Sequence, residues 1–146
     1  EHVEEPEAFL TEMVRVVKPS GKVVVTSPNF FRALGLLDYH PRMRGVCNKW
    51  RNWLRLRAKR KQMVSDPDSV RFDRMEPIRR EPFQPDDDAI VATNGAEIKF
   101  FLEQNGCDVL RVQCTDRYLA KPIDFALNLG PWRYLMFNAF VTARRK

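Results

Sequence analysis

The sequence predicts an α/β domain, because segments with a helical period alternate with short apolar runs of β-strand composition. A helical stripe at residues 9–17 precedes the run 23–25, and a capped helical segment at 94–104 precedes the apolar run 107–113. Helices and strands that alternate along a chain are typical of α/β proteins. The 146 residues, of which 44% are apolar, suffice for one domain with its own core.

The first helix is predicted to begin at Pro6, whose missing N–H costs nothing in the first turn. Glutamates around this proline favour the positive end of the helix dipole. The sequence Lys-Pro-Ser-Gly at 18–21 predicts the end of the helix, with a basic residue and a glycine at its C-terminus. Residues 22–26 follow without polar alternation, which predicts a strand covered on both faces, as in a parallel sheet.

One segment of the chain concentrates positive charge. Residues 42–61 contain nine lysines and arginines and no acidic residue, whereas the remainder has 16 basic and 19 acidic residues. Four apolar residues of this segment share one helical face: Val46, Trp50, Trp53 and Leu54. We therefore predict an amphipathic basic helix, followed by a proline-punctuated connection of roughly 25 residues. Connections of that length form functional lids or are disordered, and residues 38–90 are interpreted as one basic, proline-rich insertion or lid within the domain.

The clearest helix start lies at Asn94, which precedes Glu97 by three positions in a capping-box-like pattern. Three apolar residues form the predicted buried face of this helix: Ile98, Phe101 and Leu102. Asn105-Gly106 predicts its end, because glycine readily adopts the positive φ of a helix C-terminus.

Two further strands are predicted at 107–113 and 137–143, with short helices and loops over 116–135. The longest apolar stretch, 125–141, is interrupted by polar residues and by Gly-Pro, so it predicts no membrane span. Three cysteines without a CxxC pattern, together with two histidines, cannot complete a usual zinc set and indicate a reduced chain. We expect a cytoplasmic protein, with a peripheral position on a membrane as the alternative.

Two stretches combine a helix, a short turn and a strand. The first is EHVEEPEAFLTEMVRVVKPSGKVVVTSPN at 1–29, and the second covers 93–112. With the last strand at 137–143, they resemble the C-terminal half of class I S-adenosylmethionine-dependent methyltransferases, in which Lys-Pro-Gly-Gly commonly stands where this chain has Lys-Pro-Ser-Gly. The resemblance covers about half the chain. It implies strands five to seven of a Rossmann-like sheet, the seventh antiparallel and inserted beside the fifth, with a helical basic insertion.

The resemblance also implies a cofactor and a reaction. The cofactor is S-adenosylmethionine, and the methyl acceptor is a small molecule, a lipid or a glycan. The family holds its cofactor with a Gly-rich loop after strand one and an acidic residue after strand two. The six glycines here form no GxG pattern, so we expect no cofactor-binding residue in this chain. The expectation is a truncated portion of a methyltransferase that is inactive alone.

Four residues are candidates for the reaction site. The resemblance places His2 beside the methyl-transfer centre, where it would accept a proton; a metal ligand and a packing role are the alternatives. Asn29 follows the carboxyl end of a presumed parallel strand, where open α/β sheets bind ligands, so it is a predicted substrate contact or a strand-ending turn. Tyr39 and His40 open the insertion and are predicted to line the acceptor pocket or to form a structural turn.

The basic helix allows three interpretations: a solvated lid face, a contact with nucleic acid, and a contact with anionic membrane lipids. Trp50 and Trp53 among many cations suit an interfacial helix, and arginines with aromatic residues also suit single-stranded nucleic acid. The competing function is therefore a non-enzymatic binding module. The residues predicted to contact an anionic partner are Arg42, Arg44, Lys49, Arg51 and Arg55.

A sheet that begins with the strand at 22–26 would have a valine-rich, unpaired edge. Exposed edges of this kind pair with other chains. We therefore expect low solubility or a homodimer that covers this edge.

Overall fold

The computed structural model describes residues 1–35, 38–115 and 121–146. Its helices are α1 (Pro6–Val16), α2 (Val46–Ser65), α3 (Gly95–Gln104) and α4 (Lys121–Asn128), with single helical turns at Pro67–Ser69 and Pro131–Tyr134. Its strands are β1 (Lys22–Pro28), β2 (Asp73–Arg74), β3 (Val91–Ala92), β4 (Cys107–Thr115) and β5 (Asn138–Arg145). Residues 116–120 of the predicted region 116–135 lie outside the described part of the chain. None of the helices within the described ranges is long and apolar enough to cross a membrane.

The main sheet has the strand order β1–β5–β4, and β5 is antiparallel to both of its neighbours. β1 and β4 therefore run parallel to each other on either side of the last strand. β2 and β3 form a separate two-stranded antiparallel ribbon. The predicted fold is confirmed as a mixed α/β arrangement whose final strand is antiparallel.

One face of the main sheet carries the hydrophobic core. The inward side chains Val23, Val112 and Val141 are buried and belong to one cluster with residues of α1 and α3. Burying an aliphatic side chain of this size stabilises the fold by about 1.5–3 kcal/mol. As predicted, α3 buries Ile98, Phe101 and Leu102.

The ends of α3 follow the predicted capping signals. Asn94 Oδ1 accepts from the N–H groups of Ala96 and Glu97 at 3.0 Å each. The Glu97 carboxylate accepts a hydrogen bond from the side-chain amide of Asn94, not from its backbone N–H as in the usual capping box. At the other end, Gly106 has a φ of 78°, so the predicted stop is also confirmed.

β1 is covered on one face only, which corrects the prediction of a strand buried on both faces. Val23 is 3% exposed, whereas its neighbour Val24 is 49% exposed. Phe140 of β5 is also exposed on the outward face, because Val24 and Phe140 both point away from the core helices. Among the described residues, β1 pairs with β5 alone and leaves its other edge open.

In the turn between α1 and β1, one residue has a positive φ and the next has no room for a side chain. Ser20 adopts the left-handed conformation, with a φ of 64°. Gly21 is needed for space, because a Cβ there would lie 2.6 Å from Val17 Cγ1 and 2.7 Å from the Lys18 carbonyl oxygen. The positive φ thus falls one residue before the glycine.

The predicted basic helix is present as α2, but its apolar stripe does not face the core. Asn52 and Leu56 are buried, whereas Val46, Trp50 and Leu54 are 85%, 60% and 45% exposed. The Asn52 amide donates to two backbone carbonyl oxygens of the segment before α2, at 3.1 Å each. Asn52 and Leu56 therefore determine which face of α2 packs against the rest of the chain.

The insertion 38–90 packs against the sheet domain through a second apolar cluster. Leu56 of α2 and Met43 before it belong to one cluster with Ala92 of β3 and Ala96 of α3. Phe30 and Phe31, which follow β1, are fully buried in the same cluster. The part of the connection that follows α2 contains a helical turn and the β2–β3 ribbon.

The open edge of β1 predicts self-association that a charge would suppress. Replacing Val24 by Lys puts a cation on the exposed face of an edge strand, so we expect less dimer or aggregate and little loss of stability. Sedimentation velocity of the purified chain measures the change. Val16→Lys, at an exposed position of α1, is the matched control and should not reduce association. Equal effects of both variants would contradict an edge-mediated contact.

Candidate functional site

A cluster of hydroxyl groups and one carboxylate lies at the carboxyl end of β1. Ser27 Oγ donates to Glu1 Oε2 at 2.7 Å and lies 2.7 Å from Thr93 Oγ1. Thr93 Oγ1 donates to the Pro28 carbonyl at 2.8 Å, and both hydroxyl-bearing residues are buried. The fold thus brings Glu1, Ser27 at the end of β1 and Thr93 just before α3 into contact.

His2 stands at the rim of this cluster between two carboxylates. Its Nε2 lies 3.5 Å from Glu1 Oε1, and its Nδ1 lies 3.4 Å from the carbonyl oxygen and 3.7 Å from Oδ2 of Asp88. The side chain is 49% exposed. A proton on Nδ1 that is donated to Asp88 leaves the lone pair of Nε2 available as a hydrogen-bond acceptor.

A mostly apolar cavity of about 270 Å³ adjoins His2 and Ser27. It is bounded by residues of α1 and by residues 25–27 of β1. The cavity therefore offers apolar contacts beside a group that can take up a proton. Its apolar walls are Pro6, Phe9, Leu10, Val25, Phe72 and Ile98.

Asn29 is fully buried and faces no opening. Its amide donates to the carbonyl oxygens of Tyr134 and Met136 at 2.8 and 2.7 Å, and its Oδ1 accepts from the Phe31 N–H at 3.1 Å. Both amide hydrogens and the oxygen are therefore used within the protein. This placement corresponds to the strand-ending turn and gives no support to the predicted substrate contact.

Tyr39 lines a second opening, a polar groove of about 470 Å³. Arg44 and Arg80 supply positive charge to the groove, and Asp38 supplies a carboxylate that other side chains already pair. Glu81, Pro82 and Gln84 complete the lining. Of the two residues predicted to line an acceptor pocket, Tyr39 is therefore at an opening.

His40 lies behind this groove and is not among its lining residues. It is 5% exposed, stands edge-on to Phe30, and accepts at Nδ1 from the Arg42 N–H at 3.2 Å. Its Nε2 has no hydrogen-bond partner among the described residues. Burial lowers the pKa of His40, although the nearby Asp87 carboxylate opposes this. The ring is therefore neutral at physiological pH and supports the groove from inside.

The acidic run 86–88 contributes a structural carboxylate that the sequence did not reveal. Arg80 donates from Nε and Nη2 to the two oxygens of Asp87 at 2.7 Å each, and the Gln84 N–H donates to Asp87 at 2.9 Å. The side chain of Asp87 is fully buried, and its hydrogen bonds to Arg80 lower its pKa. The bidentate ion pair between Arg80 and Asp87 joins the two ends of the loop 80–87, which forms one wall of the groove.

A buried ion cluster anchors the N-terminal half of α2. Asp38 is buried and accepts from Arg32 Nη1 at 2.5 Å and from Lys49 Nζ at 2.6 Å. Arg32 is itself buried, and its Nε donates to the Leu34 carbonyl at 2.6 Å. Lys49, predicted to contact an anionic partner, is therefore engaged inside the protein.

A second buried ion cluster, defined by Arg42, Lys59, Asp73 and Glu97, anchors the C-terminal half of α2. Lys59 Nζ lies 3.0 Å from Glu97 Oε1 and 2.9 Å from Asp73 Oδ1, and Arg42 Nη2 lies 3.3 Å from Asp73 Oδ2. Burial raises the pKa of Glu97 to about 7, although Lys59 opposes the rise. Burial also works against the charge of Lys59, but Glu97 and Asp73 outweigh it and raise the pKa of Lys59.

The five basic residues predicted to meet an anionic partner thus fall into two groups. Arg42 and Lys49 pair with buried or half-buried carboxylates of the same chain. Arg44, Arg51 and Arg55 are exposed. Sequence spacing alone could not show which basic residues are paired and which are exposed, because the packed face of α2 depends on carboxylates elsewhere in the chain.

Replacing Lys59 by Met removes the cation that compensates Glu97 while keeping much of the side-chain volume. At pH 8, about one unit above the pKa of Glu97, we expect the free energy of unfolding to fall by about 1.4 kcal/mol or more, because Glu97 must then take up a proton or stay charged without its cation. Urea denaturation measures this loss. Lys61→Met, at an exposed position of the same helix, should change stability by less than about 0.5 kcal/mol. Similar losses in both variants would contradict the role of the second ion cluster.

The raised pKa of Glu97 predicts a pH dependence of stability. Between pH 4.5 and about 7 the folded chain retains this proton and the unfolded chain has lost it, so stability falls as the pH rises through this window. One such group contributes a slope of at most about 1.4 kcal/mol per pH unit. Glu97→Gln should remove this slope in urea titrations at both ends of the window, and Glu103→Gln, exposed on the same helix, should retain it. An unchanged slope in Glu97→Gln would refute the assignment.

The apolar cavity beside His2 and the polar groove beside Tyr39 therefore lie close to the same loop. The loop that ends at Asp88 joins them, since Asp87 pairs with Arg80 of the groove and Asp88 contacts His2. No protein-family model, no curated protein and no solved structure matches the chain.

Proposed function

We propose that this chain is the acceptor-side portion of an S-adenosylmethionine-dependent methyltransferase, built on strands five to seven of a Rossmann-like sheet. The observation that carries the proposal is the strand order β1–β5–β4, with the last strand antiparallel and inserted beside the first. The resemblance requires this position for the seventh strand.

The turn between α1 and β1 gives the proposal independent support. In the resembling family a glycine commonly stands where this chain has Ser20. Ser20 adopts a positive φ of 64°, a conformation that glycine adopts without strain. The difference between Lys-Pro-Ser-Gly and Lys-Pro-Gly-Gly thus falls on a position where the backbone itself favours glycine.

The residues of this chain do not fit the cofactor. The N–H groups that follow β1 are already used: that of Asn29 donates to the Phe137 carbonyl, that of Phe30 to the Thr93 carbonyl, and that of Phe31 to Asn29 Oδ1. None of these N–H groups is free for an anionic group of a ligand. We propose that S-adenosylmethionine is held by strands that pair with the open edge of β1, and we derive no methyl-transfer step from this chain alone.

What this chain would contribute is acceptor binding and one proton transfer. Ser27 fixes Glu1 through a 2.7 Å hydrogen bond, and the other oxygen of Glu1 faces His2 Nε2. This arrangement orients the imidazole, as a general base requires. The Tyr39 groove, with Arg44 and Arg80 on its wall, would hold the polar part of a small-molecule, lipid or glycan acceptor.

The proposal is tested by extending the reading frame upstream of Glu1 and expressing the longer protein. We expect it to contain a strand with a Gly-rich loop and to bind S-adenosylmethionine in calorimetry, whereas residues 1–146 alone bind none. Labelled methyl groups should pass from the cofactor into extracts of the source cells only with the longer protein. Turnover by residues 1–146 alone, or a longer protein that does not bind the cofactor, would overturn the proposal.

His2 is tested in the same longer protein. His2→Gln keeps a polar side chain without a basic nitrogen, so we expect transfer to fall by roughly 10²–10⁴-fold with unchanged cofactor affinity. His40→Gln is the control, because His40 is buried behind the groove and has no role in proton transfer. A loss that does not depend on pH would indicate that His2 only shapes the pocket.

A further inference from the structure

Among the described residues, the outward face of α2 carries an apolar stripe, of which only Trp53 also packs against the second apolar cluster. Val46, Trp50 and Leu54 recur at every fourth position and remain exposed. Trp53 stacks on Trp50 with ring centroids 4.8 Å apart. A helix in a globular protein normally turns such a stripe toward the core, yet here Asn52, Leu56 and Lys59 occupy the packed side.

The stripe continues into a second element across a shallow groove of about 370 Å³. The walls of this groove include Trp50 and Trp53 on one side and Trp132 and Leu135 on the other. The segment before Trp132 also exposes Ile123 and Phe125 of α4 and Leu129, at 51%, 68% and 69%. Trp50 and Trp132, far apart in the sequence, thus line one groove.

The charges around this surface are predominantly positive. α2 contains no acidic residue, and Arg51 and Arg55 are exposed on its flank. The guanidinium of Arg57 lies over the Trp53 ring at 4.8 Å. α4 begins with Lys121 and contains one carboxylate, Asp124, so it adds no net charge of its own. Exposed aromatic and aliphatic side chains next to a row of cations characterise surfaces that lie on anionic lipid headgroups.

We propose that this surface, formed by the outward face of α2 together with Trp132, docks onto an anionic lipid bilayer. The tryptophans and aliphatic side chains enter the headgroup region, and the arginines of α2 remain at the level of the lipid phosphates. Trp50 and Trp53 stack on each other, so these rings do not present two free platforms for nucleic acid bases, and this favours a bilayer over nucleic acid. The proposal does not depend on methyl transfer.

Vesicle sedimentation of residues 1–146 tests the docking surface. We expect the chain to bind phosphatidylcholine vesicles that contain phosphatidylserine, to bind pure phosphatidylcholine vesicles much more weakly, and to lose affinity as salt is added. Trp50→Ala combined with Trp132→Ala should weaken binding roughly ten-fold or more, and Arg51→Gln should weaken it about five-fold. Val16→Ala and Lys18→Gln, both exposed outside this surface, are the matched controls and should bind as the unmodified chain does.

Intrinsic fluorescence gives a second readout, because all three tryptophans of the chain lie on this surface. Binding should shift the tryptophan emission to the blue, and lipids with brominated acyl chains should quench it. Salt-independent binding to neutral vesicles, or binding that the tryptophan variants do not weaken, would overturn the proposal. So would tryptophan-dependent self-association or oligonucleotide binding without vesicle binding. None of these measurements involves S-adenosylmethionine, so each outcome is independent of the proposed methyl transfer.

Discussion

Glu97 brings a carboxylate into the interior at the first turn of α3, and the orientation of α2 depends on how that charge is satisfied. A buried carboxylate without a partner is among the costliest groups in a fold. Asn94 provides one hydrogen bond, and Lys59 of α2 provides the cation at 3.0 Å. Because Lys59, Asn52 and Leu56 lie on one side of the helix, this ion pair turns the other side, with Trp50 and Leu54, toward solvent. One buried charge thus both fixes the insertion and exposes the surface assigned to the bilayer.

The sheet imposes a second constraint. Its core helices α1 and α3 pack on one face, so Val24 and Phe140 remain exposed on the other, and β1 keeps an open edge among the described residues. The open edge of β1 and the exposed apolar side chains of the outer face are both sites where further strands or helices could pack. His2 and other residues of the N-terminal segment and β1 also line the apolar cavity.

Elements with local signals were predictable from the sequence. The capped start of α3, its end at Gly106, and the helix–turn–strand from Pro6 to Pro28 follow from residues within a few positions of each other. The face of α2 that packs was not predictable, because it is chosen by Glu97 and by backbone carbonyls far along the chain. The same reason explains Asn29, whose three hydrogen bonds include two to residues beyond position 130, and Asp87, whose partner Arg80 was hidden in a proline-rich loop. His2 and Tyr39 are at openings as the sequence suggested, and their chemical roles remain proposals.

β1 is an edge strand of the main sheet among the described residues, and its unpaired side is free to bind further strands. Hydrogen exchange of the backbone amides in the monomeric chain, resolved by NMR, tests it most directly. In an edge strand every second amide points away from its single partner. We therefore predict alternating fast and slow exchange along residues 22–28 and uniformly slow exchange along the central strand β5. Uniformly slow exchange along β1 in the monomer would contradict it.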